Sequence, residues 1–238
     1  MSLNLLIVIP AYNEKNNLKH VVDDLTSYCS EYDYLIVNDG STDGTLEYCR
    51  ANDYSILDLP INLGLAGAFS AGMLWAYEHN YDAVMQFDGD GQHRAEYVKT
   101  LVAQYKKGYD IVVGSRFITE KKPFNMRMIG SFIISFAIRL TTRFVMCDPT
   151  SGMRIYDRSI IERFAFDMNY TPEPDTLSYL IRCGAKISEV QIFSDERMSG
   201  KSYLTFIRSI IYMIQITCSI LLIQWFRGKK PLKKSLSK

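Results

Sequence analysis

Short apolar runs alternate with longer amphipathic stretches through the first half of the chain. Residues 4–10 predict a buried strand and 14–29 a helix. The pairing repeats at 34–38 and 42–51, at 55–59 and 66–79, and at 83–87 and 95–107, with a fifth strand at 110–114. Strands that are apolar throughout, rather than at every second position, are covered on both faces. Alternating with helices, they predict an α/β domain built on a mostly parallel sheet flanked by helices.

The second half changes character. Residues 128–147 are apolar, with Arg139 and Arg143 at a helical spacing. This pattern suits a helix in a membrane interface or an ordinary core helix. Residues 153–156 and 187–193 predict further strands. From 209 to 226 no charged residue occurs. That is about the minimum length for crossing a bilayer, yet the run contains Gln215, Thr217, Ser219 and Gln224. A spanning helix, a helix lying on the membrane and a helix pairing with another all remain open. The tail beyond carries Arg227, Lys229, Lys230, Lys233, Lys234 and Lys238 and no acid, which fits a face holding anionic headgroups. The expected division is one domain at 1–205, then an apolar helical extension with a basic tail at 206–238.

Composition changes this picture little. The formal net charge of +1 implies no general nucleic-acid role. The five cysteines form no Cys-x-x-Cys and are not spaced with the three histidines as zinc ligands, so reduced thiols in a cytosolic compartment are expected. The first apolar run, Leu5-Leu6-Ile7-Val8-Ile9, is too short for a signal peptide.

The chemistry gathers where strands end. After Ala83-Val84-Met85 comes Gln86-Phe87-Asp88-Gly89-Asp90-Gly91-Gln92-His93. Two carboxylates one residue apart on a glycine-rich turn can face one hard cation, and such a cation commonly carries phosphate oxygens too. The same residues also read as a plain Asp-Gly turn. Other predicted strand ends carry Pro10-Ala11-Tyr12-Asn13-Glu14, Asn38-Asp39-Gly40-Ser41 and Gly114-Ser115-Arg116. Ligands in open α/β sheets bind beyond the carboxyl ends of the strands, so these residues converge on one rim. No Gly-x-Gly-x-x-Gly follows the first strand, and Gly200-Lys201-Ser202 lacks the glycine a phosphate loop needs at position 195.

Read together, Ile9-Pro10-Ala11-Tyr12-Asn13-Glu14, Asn38-Asp39-Gly40-Ser41-Thr42-Asp43-Gly44-Thr45, Asn62-Leu63-Gly64-Leu65-Ala66-Gly67-Ala68 and Asp88-Gly89-Asp90 resemble a family 2 glycosyltransferase with the Rossmann-like GT-A fold. Gly114-Ser115-Arg116-Phe117, Asp148-Pro149-Thr150-Ser151-Gly152-Met153-Arg154 and Arg197-Met198-Ser199-Gly200-Lys201-Ser202 are similar to the branch acting on dolichyl and polyprenyl phosphates. The resemblance covers about residues 4–205. It implies that Pro10, Ala11, Tyr12 and Glu14 line the base and ribose pocket, and that Asp39 accepts a hydrogen bond from uridine or guanosine. It further implies that Asp88 and Asp90, with Gly89 between them, hold Mg²⁺ or Mn²⁺ against the donor diphosphate. Arg197 and Ser202 would close over that diphosphate, and Arg116, Arg127 and Arg154 would hold an acceptor phosphate.

The implied reaction is inverting, metal-dependent transfer from a UDP- or GDP-sugar to a membrane polyprenyl phosphate. It would occur at the cytoplasmic face of the cell membrane, in cell-envelope or polysaccharide synthesis, alone or with a small membrane partner or a second copy. A phosphate acceptor needs positioning more than a base. Attack by a sugar hydroxyl of a lipid-linked glycan would need a carboxylate base, for which Glu173, Asp175 and Asp148 are candidates. Thr171-Pro172-Glu173-Pro174-Asp175 departs from the Glu-Asp pair of relatives that use hydroxyl acceptors. A non-catalytic nucleotide-sugar-binding scaffold is the third reading. Thr42 and Asp43 read more simply as a helix cap.

Overall fold

The computed structural model describes residues 3–120, 126–166, 170–195, 206–228 and 232. Seven strands, β1 (Leu5–Ala11), β2 (Asp33–Asp39), β3 (Ile56–Leu59), β4 (Ala83–Gln86), β5 (Ile111–Ser115), β6 (Arg154–Asp157) and β7 (Ile187–Gln191), form one sheet in the order β3-β2-β1-β4-β6-β5-β7. All neighbours run parallel except β6, which is antiparallel to both β4 and β5. Leu5, Ile7 and Ile9 of β1 enter one core, while Leu6 and Val8 enter the other. That is why the strand reads as a continuous apolar run.

Helices α1 (Lys15–Cys29) and α4 (Val98–Tyr105) cover one face of the sheet. The other is covered by α3 (Gly64–Glu78), α5 (Met126–Thr142), α6 (Arg158–Phe166), α7 (Pro174–Arg182) and α8 (Phe206–Leu221). The short α2 (Thr45–Ala51) follows β2. Neither α6 nor α7 is expected from the apolar pattern, although Pro174 in the first turn of α7 is a start signal in the sequence.

The segment left open between a core and an interface helix has one buried and one exposed face. Helix α5 buries Ile134, Ala137 and Ile138 and exposes Phe132, Phe136 and Leu140. Helix α8 lies against α5 at Gly130, where a Cβ would meet the Met213 side chain. Its Ile216 and Ile220 join the core of the domain. It ends at Leu221, and a short 3₁₀ turn, Ile223–Trp225, follows. Among the described residues no helix is long and apolar enough to cross a membrane. The five cysteines are free; Cys29, Cys49 and Cys183 are buried and Cys218 is exposed.

Candidate active site

The carboxyl ends of β1, β2 and β4 meet on one rim. Chain geometry there is fixed by side chains that bond backbone. Asn13 sits in the left-handed region at φ +58°; its Oδ1 accepts the Thr42 N–H at 2.8 Å, and its own N–H donates to Ser41 Oγ at 2.9 Å. The β1 and β2 loops are thereby stitched together. Asp39 is buried, and its Oδ1 accepts the Leu63 N–H at 2.7 Å. Asp43 accepts the N–H groups of Thr45 and Lys15 at 3.0 and 3.3 Å. The residue that precedes α2 is Gly44, with no side-chain cap bond, and Thr42 bonds Asn13, so neither Thr42 nor Asp43 occupies the cap position that the sequence suggests. Tyr12 is exposed, and Glu14 receives the Asn17 side-chain amide at 2.5 Å. Pro10, Ala11, Tyr12, Glu14 and Asp39 therefore share the rim.

The 88–90 turn abuts this rim. A Cβ at Gly89 would lie 3.1 Å from the Pro10 carbonyl oxygen, so glycine permits the turn to approach β1 this closely. The Asp88 N–H donates to His93 Nδ1 at 3.0 Å. That bond leaves Nε2 as the protonated nitrogen of the neutral ring, and it lies 3.5 Å from Asp88 Oδ2. His93 thus holds both ends of Asp88, and the Phe87 ring packs edge-on against it at 5.2 Å. Asp90 Oδ1 accepts the Gln92 N–H at 3.1 Å. On the far side, a Cβ at Gly152 would lie 2.4 Å from Asp88 Oδ2. No group of three or more His, Cys, Asp or Glu side chains able to hold a metal occurs among the described residues. Two carboxylates on a turn are nonetheless the protein donor set of a hard cation whose remaining ligands are substrate phosphates and water, and the space kept at Gly152 for the Asp88 carboxylate fits that use.

Beyond Asp88 lies a second, arginine-rich group. Arg116 makes a bidentate pair with Asp148, Nε to Oδ2 at 2.6 Å and Nη2 to Oδ1 at 3.0 Å. Burial alone would raise the Asp148 carboxyl, but the bonds and charge of Arg116 outweigh it and hold the carboxyl below the usual range. The Arg116 side chain keeps 31% of its surface exposed, and the Asp88 charge acts on it.

Arg154 differs. Only 1% of it is exposed, and its two Nη atoms donate to the carbonyls of Pro149 (2.7 Å) and Pro172 (2.9 Å). This enclosed guanidinium, whose Nε has no partner among the described residues, ties the 149 and 172 loops together. Glu173 follows directly. Burial pushes its carboxyl above the usual range, opposed by the Tyr212 hydroxyl, which donates to Oε2, and by the charge of Arg154; the Asp175 and Asp88 charges push it further up. Asp175 is buried, accepting Ser219 Oγ–H at 2.7 Å and the Thr176 N–H at 2.8 Å.

Arg197 and Ser202 lie outside the described residues, as does the side chain of Arg127. The approach to residue 197 is described: Asp195 is gripped bidentately by Arg94 at 2.9 and 2.5 Å, and its N–H donates to the Gln92 carbonyl at 3.0 Å. Three participants escape the sequence reading. The contact of Gly152 with Asp88 joins residues far apart in the chain. The Arg94–Asp195 pair carries no local signal. Tyr212 sits inside an apolar run, where it, Ser219 and Gln224 are hints of an inward polar face.

The sequence pattern described as Glycosyl transferase family 2 matches residues 6–164. The chain is 31% identical over 215 residues to the undecaprenyl-phosphate mannosyltransferase of Micrococcus luteus, covering 85% of this chain and 88% of that protein. It is 28% identical over 214 residues to the polyprenol monophosphomannose synthase of Mycolicibacterium smegmatis, covering 84% and 80%. The fold is similar to that of glucosyl-3-phosphoglycerate synthase from Mycobacterium tuberculosis, solved with Mn²⁺, UDP and glucosyl-3-phosphoglycerate. The TM-score is 0.70 and the identity 15%, covering 95% of this chain and 81% of that one.

Proposed function

The chain belongs to glycosyl transferase family 2, and we propose that it moves one sugar, with inversion, from a nucleoside-diphosphate donor to a membrane polyprenyl phosphate. The observation that carries the choice of acceptor is the state of the three candidate bases. Asp148 is paired with Arg116, Asp175 accepts Ser219 and Thr176, and Glu173 accepts Tyr212. A hydroxyl nucleophile needs a carboxylate ready to take its proton. A phosphate monoester does not, because its second pKa near 6 leaves it largely dianionic at neutral pH. The similarity to two proteins named for polyprenyl-phosphate mannosyl transfer supports the same acceptor.

The donor would enter along the strand-end rim. Pro10, Ala11 and Tyr12 flank the base and ribose, with Glu14 nearby. Asp39, with Oδ1 held by the Leu63 N–H, would accept a uracil or guanine N–H on its other oxygen. Asp88 and Asp90 would hold Mg²⁺ or Mn²⁺, which when bound neutralises charge on the departing diphosphate. His93 fixes the Asp88 carboxylate from one side and Gly152 makes room for it from the other. Arg197 and Ser202 are assigned to the diphosphate, and Arg116 and Arg127 to the acceptor phosphate, by the family pattern. One acceptor oxygen forms the new bond to the anomeric carbon as the opposite bond to the diphosphate breaks. The products are a sugar-phosphate lipid and the nucleoside diphosphate. With the acceptor dissolved in the bilayer, the reaction would take place at the cytoplasmic membrane face.

The test is a panel of UDP- and GDP-sugars with Mn²⁺, with and without short-chain polyprenyl phosphate, read by product mass. A sugar-phosphate-lipid product is expected; transfer to a glycan alone overturns the reading.

A further inference from the structure

We propose that the outer faces of α5 and α8 form one docking surface that lies along an anionic bilayer without crossing it. The proposal rests on the acceptor being a membrane lipid and adds where and how this chain meets that membrane.

Three observations carry it. First, each helix shows its solvent side as an apolar stripe. On α5 the stripe runs through Phe132, Phe136 and Leu140 and on α8 through Ile211 and Ile214, and just beyond the end of α8 Leu222 and Phe226, the latter 91% exposed, extend the apolar surface. The steps of four on α5 and of three on α8 keep each stripe on one helical face. The opposite faces are taken: Ile134, Ala137 and Ile138 of α5 and Ile216 and Ile220 of α8 are in the core. The helices touch at Gly130 and Met213, so the stripes adjoin. A contiguous exposed apolar surface of this kind marks an interaction site.

Second, the charge is of one sign. No Asp or Glu occurs at 121–147 or at 197–238, whereas both stretches contain several Lys and Arg. Arg139 and Arg143 are exposed near the end of the α5 stripe. At the end of the α8 stripe, Arg182 lies over the Trp225 ring at 4.2 Å. An indole beside a guanidinium at the border of an apolar face suits the headgroup layer, and basic flanks add attraction to anionic lipid.

Third, geometry favours lying over crossing. Neither helix is long and apolar enough to span, and the inner face of α8 is bound to the domain through Tyr212, Ser219 and the adjoining Gln224. A second copy of this chain is a poorer occupant, because an isologous interface would set basic borders against each other.

The test uses the full chain and vesicles of phosphatidylcholine, alone or mixed with phosphatidylglycerol, at low and high salt. Co-sedimentation should be about tenfold or more stronger on the anionic vesicles and should weaken with salt. A Phe136→Asp/Leu222→Asp variant should lose binding by a similar factor while keeping transfer to a water-soluble short-chain acceptor. Arg139→Glu/Arg143→Glu, which alters only exposed charge, should weaken binding to anionic vesicles and leave the circular dichroism unchanged. Absence of vesicle binding by the unaltered chain overturns the proposal. So does undiminished binding by both variants, or a dimer seen by light scattering that the apolar substitutions dissociate. Vesicle binding without any lipid product would leave the docking surface standing and remove the proposed acceptor instead.

Discussion

Asp88 and Gly152 are interlocked: the carboxylate fills the volume in which any side chain at 152 would begin. Gly152→Ala should therefore displace the Asp88 carboxylate while leaving the backbone unstrained, since residue 152 is not among those with positive φ. A shift of about 1 Å at a reacting centre can cost about a hundredfold in rate. The expected result is a loss of kcat/KM of that order with the thermal midpoint barely changed. Unaltered kinetics would show that Asp88 does not need its present place.

Asp88→Asn and Asp90→Asn each remove a charge from the proposed cation site. Calorimetric titration with UDP or GDP in the presence of Mn²⁺ should show donor binding weakened at least tenfold in each and abolished in the double variant. Binding that is equally strong with and without Mn²⁺ in the unaltered chain would contradict the assignment.

The Arg116–Asp148 pair makes a pH-dependent contribution to stability. The folded state holds the Asp148 carboxyl below its usual range. The pair's contribution is thus fully present above the unfolded value of about 3.9 and is lost as pH falls through the lower folded value. Asp148→Asn should lower unfolding free energy at neutral pH by about 3 kcal/mol, the low end for breaking a buried pair because Arg116 is partly exposed. In urea titrations this difference should hold down to about pH 4 and shrink below it.

Glu173→Gln separates the two acceptors. With polyprenyl phosphate, turnover should stay within a few-fold, and the acid limb should still follow the acceptor's second pKa near 6. If a sugar hydroxyl were the nucleophile, the raised Glu173 carboxyl would set that limb. The amide would then remove about 10²–10⁴-fold of the rate.

Much of this was legible because the chemistry sits where the apolar pattern breaks. The ends of β1, β2 and β4 are marked by Pro10, Asn38 and Asp88, and the sheet could be placed from Leu5-Leu6-Ile7-Val8-Ile9 and its counterparts. The antiparallel sense of β6 could not: residues 153–156 read as a strand, but direction depends on a crossover that leaves no local trace. Helices α6 and α7, nine residues each, were missed although the shorter α2 and α4 were found, because both lie outside the strand–helix alternation of the first half that marks those two. The burial of Arg154 is invisible in sequence; its enclosure follows from lying on a central strand between β4 and β5. Asp39 lies on the rim where its strand end suggests, but its partner Leu63 is 24 residues away, and the cap position expected at Thr42 or Asp43 is taken by Gly44.

The inward side of α8 matters for anyone shortening the chain. Tyr212, Ser219 and Gln224 supply the hydroxyls and amide that complete Glu173 and Asp175. Cutting before residue 206 to obtain a more tractable fragment would remove the helix packed against α5 and α7 and strip two acids of their partners. Such a fragment should be inactive even toward a freely dissolved acceptor, a defect that no added lipid could repair.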